Sequence, residues 1–133
     1  MDITSATVRR IFAHLEAGSG DQFFEHVADD VDWTVEGTHP LAGRYRSKSA
    51  FVASTFARLN KILPGGTQLH VQNVLMDGKW AVVELKSHAT ALNGMRFDNR
   101  YCWVVRFADE RIVEVRAYLD SALVQKLIDD NHG

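Results

Sequence analysis

A chain of 133 residues, 46% hydrophobic and 24% charged, is long enough to bury a core of its own, short for two, and far from the composition of disordered segments. Its formal net charge of -2, with the basic residues scattered, excludes the electrostatic footprint expected of a nucleic-acid or anionic-membrane binder. Cys102 is the single cysteine and cannot close an internal disulfide, no apolar run approaches the roughly 20 residues of a membrane span, and the opening MDITSATVRR lacks a signal-peptide layout, so one cytoplasmic domain over residues 1–133 is expected.

Val8, Ile11, Phe12 and Leu15 recur at i, i+3, i+4 and i+7 and predict a helix ending near Gly18. Asp21 is a candidate N-cap for a short second helix carrying Phe23, Phe24 and Val27. Residues 31–36 alternate in polarity and predict a strand, with Trp33 turned inward between the polar Asp32 and Thr34. Residues 37–43 are loop chemistry. Ser47 then caps a helix whose Val52, Phe56, Leu59 and Leu63 repeat at helical spacing, and Pro64-Gly65-Gly66 ends it. Strands follow at 69–76, 80–92, 96–107 and 112–120, with a short helix at 123–128. The predicted class is α+β, with three N-terminal helices packed on a strongly curved, mainly antiparallel sheet that encloses a pocket.

Asp77-Gly78 and Asn93-Gly94 are dipeptides favoured in two-residue hairpin loops, and Asp109-Glu110 is taken as a third such loop on weaker chemistry. Counting outward sets His88 opposite Asn99, Lys86 opposite Tyr101 and Glu84 opposite Trp103; the next hairpin sets Asn99 opposite Asp120, Tyr101 opposite Tyr118 and Trp103 opposite Arg116. A three-residue last loop would turn the final strand over. On this register the concave face mixes large apolar side chains with polar ones, the composition of a small-ligand site. The opposite face, with Ala81, Val83, Leu85, Cys102, Val104, Val115 and Ala117, is read as either a homodimer surface or one covered by loops and the terminal helix.

Several residues carry two readings. Asp120, in a row with His88 and Asn99, is either a general acid/base or the cap of the helix after it. Arg116 and Glu84 contact a ligand or pair with each other. Tyr101 and Tyr118 donate to a carbonyl or simply pack. Trp33 and Trp103 are cavity wall or core, and His39 is a lid residue or part of a turn. The six histidines show no metal-ligand spacing, Cys102 lacks a partner, and no P-loop, G-x-S-x-G or G-x-G-x-x-G motif occurs, so no metal and no cofactor are expected.

The strings VDWTVEGTHPLAGRYRSKSAF at 31–51, NGMRFDNRYCWVVRF at 93–107 and RIVEVRAYLDSALVQKL at 111–127, in this element order, resemble the nuclear transport factor 2-like superfamily, in its SnoaL-like and ketosteroid isomerase-like branch. The resemblance implies a single SnoaL-like domain that is cone-shaped, a cystatin-like roll, with a deep apolar cavity and frequent dimers. It matches Asp120 to the acid that ends the last strand in SnoaL-like cyclases. It departs from ketosteroid isomerases, whose first helix carries a tyrosine where this helix has only Phe12 as an aromatic. The expected activity is cofactor-independent proton transfer (isomerisation, cyclisation or dehydration) on a lipophilic carbonyl compound, with Asp120 as acid/base and His88, Asn99 and tyrosine hydroxyls orienting the substrate. The alternatives are a non-catalytic binding protein for a small hydrophobic metabolite, or a dimerisation module.

Overall fold

The computed structural model describes residues 3–131. Helix α1 (Ser5–Glu16) starts where the Thr4 hydroxyl accepts a hydrogen bond from the Thr7 amide at 3.2 Å, and it buries Val8, Ile11, Phe12 and Leu15, the stripe its spacing predicts. Helix α2 (Gly20–Phe24) adds Phe23 and Phe24 to the same core.

Strand β1 (Val27–Val35) begins earlier than its alternation suggests. Strand β2 (Gly43–Tyr45) falls in and just after the segment read as loop; with three residues it is too short to show a period. Its place beside β1 is fixed by Arg44, whose guanidinium grips Asp32 through two hydrogen bonds of 2.9 and 2.7 Å.

The helix expected from Ser47 to Leu63 is broken. Ser47 caps α3 (Lys48–Ser54), but Thr55 leaves helical geometry at φ -123 and ψ -79, and its hydroxyl donates to the Phe51 carbonyl at 2.7 Å before α4 (Phe56–Ile62) begins. The buried stripe runs through Phe51, Thr55, Leu59 and Ile62, one position off the expected one, so that Phe51 rather than Val52 is fully inside.

Strands β3 (Leu69–Asp77), β4 (Trp80–Ser87), β5 (Arg100–Ala108) and β6 (Arg111–Leu119) complete a six-stranded sheet of order β2-β1-β6-β5-β4-β3, in which β1 and β6 run parallel and every other pair is antiparallel. At the free edge of β3 the α1 residue Glu16 accepts a hydrogen bond from the Val71 amide at 3.0 Å. Helix α5 (Ser121–Asn131) follows β6 directly.

Two hairpins depart from the expected register, each for a local reason. Between β4 and β5 the loop is Leu92-Asn93-Gly94, because Asn93 uses its side chain to accept from the Met95 amide at 3.0 Å and Gly94 alone takes positive φ, at 85°. One extra loop residue pairs Val83 with Trp103 and Glu84 with Cys102, which turns β4 over. Asp109 and Glu110 do form the two-residue loop, with φ of 52° and 61°, but a bulge between the Phe107–Ile112 and Arg106–Glu114 pairs then shifts β6 by one. Trp103 therefore faces Ala117, and Tyr101 faces Leu119. Ala81, Val83, Leu85, Val115 and Ala117, assigned to the outer face, are buried in the core; Glu84, Arg116 and Tyr118, assigned to the concave face, lie outside.

Buried apolar side chains form two clusters. One joins α1, α2 and α3 to the sheet around Trp33 and Trp103. The other gathers Leu41, Leu59, Ile62, Phe97, Val124 and Leu127 from α4, α5 and the 88–99 excursion.

Candidate ligand-binding site

Where the two clusters meet, the sheet, α3, α4 and α5 leave a cavity of about 50 Å³. Strand residues Trp33, Tyr101 and Trp103 form its floor, and Phe51, Phe56 and Phe97 its sides. The aromatic wall is packed: Trp33 stacks on Phe51 at 3.9 Å between centroids and meets Trp103 edge-to-face at 5.2 Å.

Few polar groups face this space. Thr55 is already spent on the Phe51 carbonyl. His39 comes from the 36–42 loop, where its Nε2–H donates to the Glu36 carbonyl at 3.1 Å and its Nδ1 accepts from the Leu41 amide at 3.2 Å. That pairing defines the neutral ring, and burial holds its pKa below the ordinary histidine value. Burial likewise pushes the Tyr101 phenol well up, against a smaller opposing effect of a hydrogen bond with Ser87, so the hydroxyl stays protonated. The indole Nε1 of Trp33, 0% exposed, has no hydrogen-bond partner. Among the described residues no carboxylate lines the cavity.

Of the residues singled out from the sequence, Trp33, His39, Tyr101 and Trp103 are thus brought together. The expected row of His88, Asn99 and Asp120 does not form on the concave face. His88 is exposed, its Nδ1 3.9 Å from Asp98. Asn99 is 1% exposed but works as a staple at the neck between the 88–99 excursion and the sheet: its Oδ1 accepts from the Arg100 and Asp120 amides at 2.7 and 3.1 Å, and its Nδ2 donates to the Asp120 carbonyl at 3.4 Å. Asp120 is exposed and its Oδ1 accepts from the Leu123 amide at 3.2 Å, an N-cap for α5. Glu84 accepts from Asn73 on the convex side, and Arg116 pairs at 3.0 Å with Glu114 rather than Glu84, its guanidinium 4.8 Å from the Trp80 ring. Phe51, Thr55 and Phe97 were not singled out; the helix break at Thr55 and the excursion that carries Phe97 have no periodic signal.

The histidines make stability depend on pH. His26, stacked on His14 at 5.7 Å, also titrates below its ordinary value, chiefly through burial and then through His14. For both His26 and His39 the unfolded chain binds a proton more readily than the folded one, so their contribution is full above about 6.5 and is lost as pH falls below it. The melting temperature should drop between pH 7.5 and 5.5, and drop less in His39→Gln. Equal drops in the two proteins would assign the effect to His26 alone.

A largely aromatic cavity between a six-stranded sheet and its helices thus marks this α+β domain. The chain belongs to the SnoaL-like domain family, whose sequence profile matches residues 8–115. The dimerizing cyclase phiC of a fungal species is 30% identical over 112 residues, covering 81% of this chain and 50% of its own length. The chain spans about half the length of the curated relatives it matches. A nuclear transport factor 2-like protein from Burkholderia thailandensis superposes with a TM-score of 0.79 at 22% identity, covering 92% of this chain and 95% of that one. TerC, co-crystallized with polyporic acid, superposes with a TM-score of 0.75 at 18% identity, covering 93% and 96%. No helix among the described residues is long and apolar enough to cross a membrane.

Proposed function

We propose that this domain encloses a lipophilic carbonyl compound in the Trp33 cavity and promotes its cyclisation or isomerisation without a cofactor. The observation that carries the reading is the cavity itself: aromatic, carboxylate-free, and furnished only with neutral polar groups. Such a wall suits chemistry in which holding a flexible substrate in one conformation and donating hydrogen bonds to an oxygen supply the acceleration. Support comes also from relatives named cyclases and from TerC, which was co-crystallized with polyporic acid. A volume of about 50 Å³ is well below the roughly 300–1,000 Å³ of drug-sized ligand sites, so binding would have to part the two apolar clusters.

Asp120 decides between this reading and one with a carboxylate acid/base. As a cap alone, Asp120→Asn should change stability by no more than a few tenths of a kcal/mol, because asparagine caps equally well. Turnover of a panel of aryl ketones and polyketide-type β-diketones should survive the substitution. A hundredfold loss of rate with unchanged stability would return the acid/base role to Asp120. A second reading, retention of the ligand without turnover, is favoured by the absence of a carboxylate from the wall; it predicts saturable quenching of tryptophan emission by the panel with no product formed.

The convex face of the sheet, which carries no helix among the described residues, we propose as the surface for a second copy of the chain. Leu75 and Tyr118 are 56% and 45% exposed there, beside half-buried Trp80, Val82 and Val104. Light scattering should give the mass of two chains, and Leu75→Lys with Tyr118→Lys should halve it. A monomeric wild type removes this interface.

A further inference from the structure

We infer that the Trp33 indole N–H is the group that reads an oxygen acceptor on the ligand, making Trp33 the specificity-determining residue of the cavity; this rests on the ligand-pocket reading above. Burying an N–H without a partner is unfavourable, and the great majority of buried polar groups in folded proteins are paired, so an orphan asks for a reason. Trp33 sits on β1 between the parallel partner β6 and the short β2, with its ring clamped by Phe51 and Trp103, so the side chain is held and cannot swing out to find water. Of the other polar groups of the wall, His39 is engaged through both nitrogens and Thr55 through its hydroxyl, while the Tyr101 phenol is paired with Ser87. Among the described residues the second buried side-chain atom without a partner, Thr67 Oγ1, does not line the cavity. Trp33 is therefore the wall residue that carries a buried donor without a partner, held in surroundings of low polarity where a hydrogen bond to oxygen counts for more than it does in water.

The ligand class follows. A pure hydrocarbon fills the space and leaves the donor unmet, and a cation, though attracted to ring faces, leaves it unmet as well. A flat, apolar molecule bearing a carbonyl or phenolic oxygen satisfies both the aromatic wall and the indole. The same bond would strengthen as negative charge builds on that oxygen, which is what enolisation of a carbonyl requires.

The test uses two molecules of nearly the same shape, acetophenone and α-methylstyrene, which differ in the carbonyl oxygen. In protein labelled with ¹⁵N-tryptophan, with the Trp33 indole signal assigned by its loss in Trp33→Phe, acetophenone should move that indole proton downfield. α-Methylstyrene should perturb the Val35 and Leu119 methyls while leaving the indole in place. Acetophenone should bind about 2- to 10-fold more tightly, a preference that disappears in Trp33→Phe. If both probes bind equally and the indole signal stays put, the N–H is directed at a neighbouring ring and the inference falls while the pocket stands. If neither probe perturbs any cavity signal, the pocket reading itself fails. If Trp33→Phe does not fold, the Trp33 indole signal is assigned through its nuclear Overhauser contacts with the stacked Phe51 ring, and the wild-type spectra then answer the question.

Discussion

Trp103→Ala should destabilise the protein by about 3–5 kcal/mol, enough to leave a marginal domain largely unfolded at physiological temperature. Trp103 is 4% exposed and meets Trp33, Phe12 and Tyr101 edge-to-face at 5.2, 5.9 and 6.4 Å. Truncation removes the transfer energy of a large ring and leaves a void that merges with the adjoining cavity, so the surrounding sheet cannot close over it. The control is Glu84→Ala, one residue off the β4–β5 pair of Trp103 and on the other face, which should change stability by no more than about 0.5 kcal/mol. Urea denaturation of both variants checks the pair. A loss below about 1 kcal/mol for Trp103→Ala would mean that the aromatic packing around the inward face of β5 is not maintained in solution.

Gly37→Ala is the second large effect, and it reaches the site. Gly37 holds φ of 115°, outside what a side chain tolerates well, and a Cβ there would meet the Ser121 hydroxyl and lie 2.9 Å from His39 Cδ2. Strained backbone and crowding each contribute about 1–3 kcal/mol, and the residue that must yield is either the first of α5 or the histidine of the cavity wall. The expected result is a stability loss of about 2–4 kcal/mol together with a shifted His39 ring signal. Loss of stability without a change at His39 would place the relaxation in α5, and a variant within 0.5 kcal/mol of wild type would show that the loop adapts freely.

Much of the architecture is legible in the residues. The stripe Val8, Ile11, Phe12, Leu15 and the inward turn of Trp33 follow from period alone, and the faces of β5 are those its large aromatic and branched side chains demand. What escapes is the relation between neighbouring strands. Asn93-Gly94 is chemistry for two loop lengths, and the choice rests on whether the Asn93 side chain bonds the Met95 amide, an event that local pattern does not encode. The bulge in β6 inserts Val113 between Ile112 and Glu114, and its trace in the sequence is the apolar doublet Ile112-Val113, which breaks the alternation there. Each slip of one turns a strand over, and with β4 and β6 both reversed, Glu84, Arg116 and Tyr118 leave the cavity for the convex face. The wall residues that come from helices escape because two apolar stripes compete on 48–63, and the buried one, Phe51, Thr55, Leu59 and Ile62, includes a polar threonine that pattern alone would leave outside.

The hydrogen bond from the Val71 amide to Glu16 also governs how this protein behaves at high concentration. An open sheet ends in a row of donors and acceptors that can recruit a strand from another molecule. On β3 that row is interrupted at one of its donors, which is handed to a carboxylate carried by α1, and the register shift beside it breaks the straight ladder a foreign strand would need. An incoming chain would have to displace Glu16 and bring its own backbone against a negative charge. Growth of fibrils or stacked sheets from this edge is thereby opposed by a side chain that belongs to a helix, so the first helix guards colloidal behaviour as well as completing the core.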